Sequence, residues 1–256
     1  MKKILVIITA LVTVSLTGSD NFLSLIDATG GAPTGFMMQA AIQLSLAGEM
    51  NLSMSRSVPS EALPRLERGE VDAVLIDSRF VRDLPHIPIA ADALALYVST
   101  ANPATGLSKR QVLEILTAPR PNWKDYIHID FDIQRITHPL DSNAGSLIRR
   151  NFGDVEISPE IFKVDSVSGG FAFVNTASIF FTRFSPQPPV EVKALTIDGV
   201  VPTIATVSDG TYPLAIRYVL VYKTLTPKLQ ALLFVLKQNQ FRRIINDTGL
   251  MVLLEE

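Results

Sequence analysis

Two loops rich in glycine and hydroxyl groups carry the side chains best suited to holding a ligand. They span 27–35 and 141–146, and each stands directly before a segment with helical spacing. A helix N-terminus offers free backbone N–H groups and the positive end of the helix dipole, so hydroxyls placed there favour an oxyanion. The alternative is that the hydroxyls only cap their own helices. The candidate side chains in these loops are Thr29, Thr34, Ser142, Asn143 and Ser146.

The remaining reactive side chains form no known catalytic or metal-binding motif. The chain has no cysteine, which excludes disulfides, thiolate zinc sites, iron–sulfur clusters and a cysteine nucleophile. His86, His128 and His138 lie far apart in the sequence, so no pair has the i, i+4 spacing of a helical metal site. An acidic cluster at 125–132 lacks the glycine and the downstream glutamate of a calcium loop. We therefore predict no catalytic residue, no metal site, no cofactor and no enzymatic activity.

Helix-like and strand-like segments alternate around the two loops, which is typical of an α/β protein. The predicted helices are 36–46, 61–68 with Pro64 in its first turn, a helix capped by Ser108 and Gln111, 147–152, and one long helix from Thr226 to Gly249. The predicted strands are 71–76, 93–98, 133–137, 170–174, 178–182, 192–197 and 218–222. The first two are continuous apolar runs, as expected for buried parallel strands.

Length, composition and charge limit the class of protein. The chain has 256 residues, of which 47% are hydrophobic, so it can bury a sizeable core in one large domain or two lobes. Its 23 Lys and Arg residues against 25 Asp and Glu residues give a formal net charge of −2. That balance argues against the basic surface on which nucleic-acid binding depends. We expect a globular protein without a nucleic-acid partner.

Residues 1–19 have the layout of a secretory signal peptide. Two lysines precede the apolar run 4–16, and the small residues Thr17 and Ser19 fit a cleavage site after Ser19. The run is shorter than the ~20 residues of a membrane-spanning helix, and an uncleaved anchor is the alternative. Ser19 stands where a lipoprotein signal carries cysteine. We therefore expect the protein in the periplasm or cell envelope, and not as a lipoprotein.

A series of segments follows the order of one protein family. The segments are 69–79, 92–98, 101–108, 111–116, 122–123, 169–174, 198–203, 209–222 and 247–250. Together they resemble the PstS-like phosphate ABC transporter substrate-binding proteins over 22–256. The resemblance implies a type 2 periplasmic-binding-protein fold, in which two α/β lobes with mixed sheets are joined by two crossover strands. It also implies a first lobe formed by 20–94 and 213–256, a second lobe formed by 95–212, and a ligand between them.

The resemblance further implies which side chains hold the ligand. In the first lobe the matching positions are a hydroxyl-bearing loop with Thr29 or Thr34, a turn with Ser57 or Ser60, and an aspartate, Asp77, after a strand. In the second lobe His138 stands where the family carries arginine, and 142–144 replaces its Ser-Gly-Thr motif. Arg56 or Arg149 could replace the missing guanidinium, although Arg149 is expected on a helix surface. The predicted ligand-binding residues are Thr29, Thr34, Ser57, Asp77, His138, Ser142, Asn143 and Ser146.

Two functions are compatible with these residues. The first is an exported, monomeric, non-catalytic solute-binding protein whose lobes close by a hinge motion on a small oxyanion such as phosphate. Its partner would be an ABC-type permease. The alternative, favoured by the missing arginine, is a binding-protein fold that acts as an interaction or accessory module of the envelope without selective phosphate binding.

Overall fold

The computed structural model describes residues 22–31, 33–48, 50–81 and 83–254, and the predicted signal segment lies outside them. The strands are β1 (Phe22–Asp27), β2 (Asn51–Arg56), β3 (Ala73–Asp77), β4 (His86–Ser99), β5 (Gly106–Leu107), β6 (Gln134–Thr137), β7 (Phe162–Lys163), β8 (Ser178–Arg183), β9 (Val192–Ala194), β10 (Thr196–Ile197), β11 (Ala215–Tyr222) and β12 (Met251–Val252). The helices are α1 (Thr34–Leu46), α2 (Pro59–Glu67), α3 (Lys109–Thr117), α4 (Lys124–Ile127), α5 (Ser146–Phe152), α6 (Val167–Ala172), α7 (Ile204–Ser208), α8 (Pro227–Lys237) and α9 (Asn239–Asp247).

The strands form two α/β lobes that share one long strand. In the first lobe the order is β2-β1-β3-β11-β4, with β12 also on β4, and in the second lobe it is β4-β8-β6-β7, with β9 also on β4. Both sheets are mixed, because β1 pairs parallel with β2 and β3 while β11 and β8 pair antiparallel with β4. A separate ribbon joins β5 and β10 in parallel. This architecture confirms the predicted fold class.

Strand β4 crosses from one lobe to the other. Its residues 86–93 pair with β11, and residues 94–97 pair with β8. The chain returns to the first lobe after α7, where β11 begins at Ala215. The partition into 20–94, 213–256 and 95–212 remains a prediction.

Alternating side chains of the first sheet pack into two layers. Leu23 and Leu25 of β1 are buried in the larger core, together with apolar residues of α1, α8 and α9. Ile26 points to the opposite face, where it packs with Val74 and with residues of α2. Since successive strand residues face opposite sides, the sheet is covered on both faces. Because both faces of the sheet are covered, polar side chains can collect at the ends of its strands.

Most predicted elements are confirmed, but the segment 170–174 is not a strand. Helix α6 covers 170–172 of it, and the side chain of Ser166 caps this helix by accepting from the N–H of Gly169 at 3.0 Å. Gly170 faces the ring of Phe180, and a Cβ at that position would lie 2.1 Å from the nearest ring atom. The glycine therefore serves close packing of α6 against β8.

Three further expectations are wrong. The long C-terminal helix is two helices, because Gln238 adopts an extended backbone with ψ 143° between α8 and α9. Residues 93–98 form an antiparallel and not a parallel strand. Pro64 lies inside α2, which begins at Pro59, and not in its first turn. Pro59 occupies N1, a position where proline is compatible with helix geometry, and the helix therefore starts two residues before the predicted residue 61.

Candidate functional site

The first-lobe half of the site lies at the carboxyl ends of β1, β2 and β3. Asp27, the last residue of β1, is buried and accepts three hydrogen bonds. Thr29 donates its backbone N–H at 2.9 Å and its hydroxyl at 2.5 Å, and Thr34 donates its hydroxyl to the other carboxylate oxygen. Both predicted hydroxyls of the first loop therefore donate hydrogen bonds to Asp27. Neither caps α1, whose N-cap residue is Pro33.

The two other predicted residues of this lobe are also partnered within the lobe. Asp77 is buried at the end of β3 and accepts from Arg79 through its backbone N–H at 2.9 Å, Nε at 2.9 Å and Nη2 at 2.5 Å. Ser57 donates its backbone N–H to the carbonyl of Asp27 at 3.2 Å and its hydroxyl to Glu61 at 2.8 Å. Asp77 is therefore neutralised by a neighbouring guanidinium that is itself partly exposed.

His138, at the position where the resemblance implies arginine, is buried inside the second lobe. Its Nδ1 lies 3.1 Å from the carbonyl of Val164, and its Nε2 lies 2.9 Å from the hydroxyl of Thr182. Because a carbonyl only accepts, Nδ1 carries the proton and Nε2 accepts from Thr182. Burial lowers the pKa of His138 below its usual value, and the positive charge of Arg183 adds to this effect. The imidazole is therefore neutral and cannot replace a guanidinium.

The hydroxyls of the second loop are used within that loop. Ser142 donates its hydroxyl to the carbonyl of Pro139 at 2.6 Å and accepts from the N–H of Gly145 at 3.0 Å. Ser146 donates its hydroxyl to the carbonyl of Asn143 at 2.8 Å. Gly145 fits closely against this turn, since a Cβ there would lie 2.0 Å from the carbonyl oxygen of Pro139. The bonds shape the start of α5, and the side chain of Asn143 is left exposed.

An arginine that sequence reasoning did not select reaches from the second lobe to the first. Arg150 of α5 donates from Nη1 to the hydroxyl of Tyr218 on β11, and its Nη2 lies 3.5 Å from the carbonyl oxygen of Gly30. Its guanidinium stands 5.8 Å from the centre of the Tyr218 ring. Arg79 of the first lobe donates from Nη2 to the carbonyl of Arg150 at 3.1 Å. Two arginines thus meet where the lobes face each other.

Two more contacts link α5 and the first residue of α3 to the segment just before β11. Asn151 donates to the carbonyl of Leu214 at 3.3 Å, and Lys109 donates to the carbonyl of Pro213 at 3.3 Å. Burial lowers the pKa of Lys109, and the nearby charge of Arg79 lowers it further. The side-chain oxygen Oδ1 of Asn151 is buried without a hydrogen-bond partner. The cationic side chains of Arg79, Arg150 and Lys109 therefore lie in one region, and the charge of Arg79 lowers the pKa of Lys109.

A buried ion pair stands behind this region at the base of the two lobes. Arg183 of β8 donates to both carboxylate oxygens of Asp92 on β4, at 2.9 and 2.8 Å. It also donates to the carbonyl of Thr248 at 2.6 Å. Burial raises the pKa of Asp92, and Arg183 counteracts that effect. Gly249, at φ 79°, leaves the space that this guanidinium needs, because a Cβ there would lie 2.3 Å from its Nη1.

The structure brings the predicted residues together only within each lobe. Thr29, Thr34 and Ser57 all contact Asp27, which the sequence analysis did not select although it is the first residue of the first loop. Arg149 points away from the other lobe and pairs with Asp154 at 3.3 Å, as expected for a surface arginine. The neighbouring Arg150 makes the contacts between lobes. The sequence contained a signal for this: successive helix residues point about 100° apart, so Arg150 points away from the surface residue Arg149 and lies beside the buried face of the helix.

Neither a metal site nor a membrane span is found in the part of the chain described. Among residues 22–31, 33–48, 50–81 and 83–254, no three His, Asp or Glu side chains are grouped so that they could hold a metal ion. Within the same residues, no helix combines the length and the apolar character needed to cross a bilayer.

Two α/β lobes that share a crossover strand and present loops to each other define the class of type 2 periplasmic-binding-protein folds. The chain belongs to the PBP superfamily domain family, which matches residues 9–238. No curated protein sequence matches the chain significantly.

Solved structures with the same fold include proteins named for phosphate transport. An ABC-type phosphate transport receptor from Vibrio cholerae is 20% identical, covers 90% of this chain and 99% of its own, and superposes with a TM-score of 0.62. PstS from Borrelia burgdorferi is 14% identical, with coverages of 91% and 99% and a TM-score of 0.71. A possible phosphate binding protein from Planctomyces limnophilus is 15% identical, with coverages of 90% and 92% and a TM-score of 0.68. With the family match, they confirm the expected periplasmic-binding-protein fold, which the chain shares with PstS-like proteins at low sequence identity.

Proposed function

We propose that this protein is a non-catalytic solute-binding protein that holds a small oxyanion, such as phosphate, between its lobes. The observation that carries the proposal is the position of Arg150, which brings a guanidinium from α5 to Gly30 in the first loop. Guanidinium groups bind phosphate and carboxylate oxygens in a bidentate manner. Arg150 would therefore supply the charge that the neutral His138 lacks.

Arg79 adds a second guanidinium on the opposite side. It is 40% exposed and already neutralises Asp77. The backbone of the first loop, where Gly30 and Gly31 have φ of 76° and 100°, would add uncharged N–H donors once the N–H of Gly31 leaves the hydroxyl of Thr29, to which it donates at 3.3 Å. An anion between the lobes would thus meet donors from both lobes. The predicted Thr29, Thr34, Ser142 and Ser146 would shape the two loops, and Asn143 has an exposed side chain for direct contact. Ser57 and Asp77 would support the neighbouring ends of β2 and β3.

The likeness to phosphate transport receptors supports the wider setting. We propose export through the N-terminal segment 1–19 to the periplasm or cell envelope, and delivery of the anion to an ABC-type permease. In this role the protein acts as a monomer without a cofactor.

Binding can be tested by melting the protein with phosphate, sulfate, molybdate and small carboxylates at pH 6 and pH 8. A ligand at one hundred times its dissociation constant adds about 2.7 kcal/mol to the free energy of unfolding. Arg150→Gln should weaken binding of the effective anion about 10- to 100-fold, since a hydrogen bond to a charged group contributes about 1.5–3 kcal/mol. Arg149→Gln is the matched control, and its affinity should equal that of the wild type. Absence of a shift with every anion at both pH values contradicts the proposal.

A second function is favoured by one specific observation. Arg79, Arg150 and the hydroxyls of the first loop already have partners within the chain. If these bonds hold the lobes together without a ligand, the protein would act as an interaction or accessory module of the envelope. Anion indifference in the melting experiment, together with specific capture of a protein partner, would support this function over the first.

A further inference from the structure

The outer face of α1 is apolar and exposed. The helix has 13 residues and none of them is charged. One side is buried through Phe36, Met37, Ala40 and Leu44. The opposite side presents Met38, Ile42 and Leu46, which follow each other at i, i+4 and i+8 and are 53%, 57% and 84% exposed. A surface helix normally carries polar or charged residues on its outer side, so this stripe calls for a partner.

Helix α8 extends the same surface. It packs beside α1, and both helices contribute buried residues to the core on one side of the first sheet. Phe234 of α8 is 65% exposed, between the buried Leu233 and Val235. We call Met38, Ile42, Leu46 and Phe234 the apolar face. Its side chains point away from the sheet, on the outside of the first lobe.

The chain enters the lobe at the edge of the apolar face. Phe22 starts β1 and is paired with Asn51, which accepts from the hydroxyl of Ser45 near the end of α1 at 3.0 Å. Lys228, at the start of α8, donates to the carbonyl of Phe22 at 2.9 Å. These contacts place the entry of the chain beside Leu46. Phe22 is itself 58% exposed.

The sequence before Phe22 suggests what covers the face. The run 4–16 contains no charged residue, and only residues 17–21 separate it from Phe22. A five-residue segment reaches at most about 17 Å. If the run packed on the protein as a helix, its other side would remain exposed, whereas lipid can cover an apolar segment on all sides. A run held in lipid therefore keeps Phe22, at the edge of the apolar face, within about 20 Å of the end of that run.

We propose that the apolar face lies on the membrane surface when residues 1–21 remain attached to the lobe. Met38, Ile42, Leu46 and Phe234 then enter the interface between headgroups and acyl chains, as the apolar side of an interfacial helix does. The ammonium group of Lys228 lies at the margin, where its charge favours lipid phosphates. The proposal is independent of anion binding between the lobes, so either can fail alone.

Single-cysteine labelling tests the proposal directly, because the natural chain has no cysteine. The full chain carrying Ile42→Cys or Phe234→Cys is labelled with a nitroxide and mixed with phosphatidylethanolamine–phosphatidylglycerol vesicles. We expect collisions with an aqueous nickel chelate to fall several-fold at both sites and collisions with oxygen to rise. Ile204→Cys is the matched control, since Ile204 is 59% exposed on a helix of the second lobe. Its accessibility should not change.

Three outcomes overturn the proposal. Protection of the labels in buffer without vesicles would mean that the N-terminal run or a second copy covers the face. Labels that stay accessible on vesicle-bound protein would mean that only the N-terminal run contacts lipid, and failure to bind vesicles would exclude the interface altogether. As a second test, Ile42→Asp with Phe234→Asp should lower vesicle affinity about tenfold, with folding checked by circular dichroism. An unchanged affinity would refute the proposal.

Discussion

Removing the guanidinium of Arg183 should destabilise the protein strongly. The side chain is 15% exposed, its partner Asp92 is 1% exposed, and two hydrogen bonds of 2.8–2.9 Å join them. The substitution Arg183→Met keeps an apolar stem of similar length but leaves the carboxylate of Asp92 without its cation. Breaking a buried pair in this way costs about 3–5 kcal/mol. The third bond, to Thr248 at 2.6 Å, is lost as well.

The cost should depend on pH with a defined sign. Burial raises the pKa of Asp92, so the folded protein holds this proton to a higher pH than the unfolded chain does. The stability that the protonated carboxyl contributes is present below the unfolded value of about 4 and is lost as pH rises through the folded pKa. Arg183→Met removes the main group that favours the carboxylate and raises this pKa further. The cost of the substitution should therefore be small near pH 4 and grow towards pH 8.

Urea unfolding followed by circular dichroism measures both effects. At neutral pH we expect the midpoint to fall by about 1–2 M, taking a slope near 3 kcal/mol per M for a chain of this size. Arg149→Met is the control, because its ion pair with Asp154 has side chains that are 54% and 92% exposed. Such a pair contributes less than about 1 kcal/mol. The double variant Arg183→Met with Asp92→Asn should recover part of the loss. A cost equal to that of the control, or one that is the same at both pH values, would refute the reasoning.

Three further predictions concern packing, capping and the first loop, each measured by urea unfolding. Gly170→Ala should cost about 1–3 kcal/mol, because the new Cβ would lie 2.1 Å from Phe180, whereas Gly35→Ala, with open space around it, should stabilise by up to about 1 kcal/mol. Ser108→Ala should cost about 1 kcal/mol by removing the capping box of α3; an unchanged midpoint contradicts this. Asp27→Ala should cost at least about 2 kcal/mol by orphaning two buried hydroxyls, and a smaller loss would mean that water replaces the carboxylate.

Local signals predicted the elements that local bonds determine. The capping box of Ser108 and Gln111 is made by residues three positions apart, and both of its hydrogen bonds are present. Helix α6 could not be predicted in this way, because its packing depends on Gly170 meeting Phe180 of another element. The break at Gln238 carries no glycine or proline that would mark it. The family resemblance, which uses the order of segments over the whole chain, predicted the two-lobed fold correctly.

The candidate site shows the same limit. Loop composition directed attention to Thr29 and Thr34, and the structure places both at the head of the first lobe. Both hydroxyls donate hydrogen bonds to Asp27, and sequence spacing alone does not reveal these bonds. The contact between Arg150 and Tyr218 joins residues 68 positions apart, so only the fold brings them together. The sequence analysis therefore missed Arg150, because the position of its charge between the lobes depends on contacts between residues far apart in the chain.

Strand β4 also determines how the protein can come apart. Its 14 residues supply a pairing edge to both sheets. Melting of either lobe would leave half of that strand without its neighbours and expose backbone groups that need hydrogen-bond partners. The two lobes are thus expected to unfold in one cooperative transition. The first lobe is built from both ends of the described chain, so a single cut of the chain does not separate the two lobes.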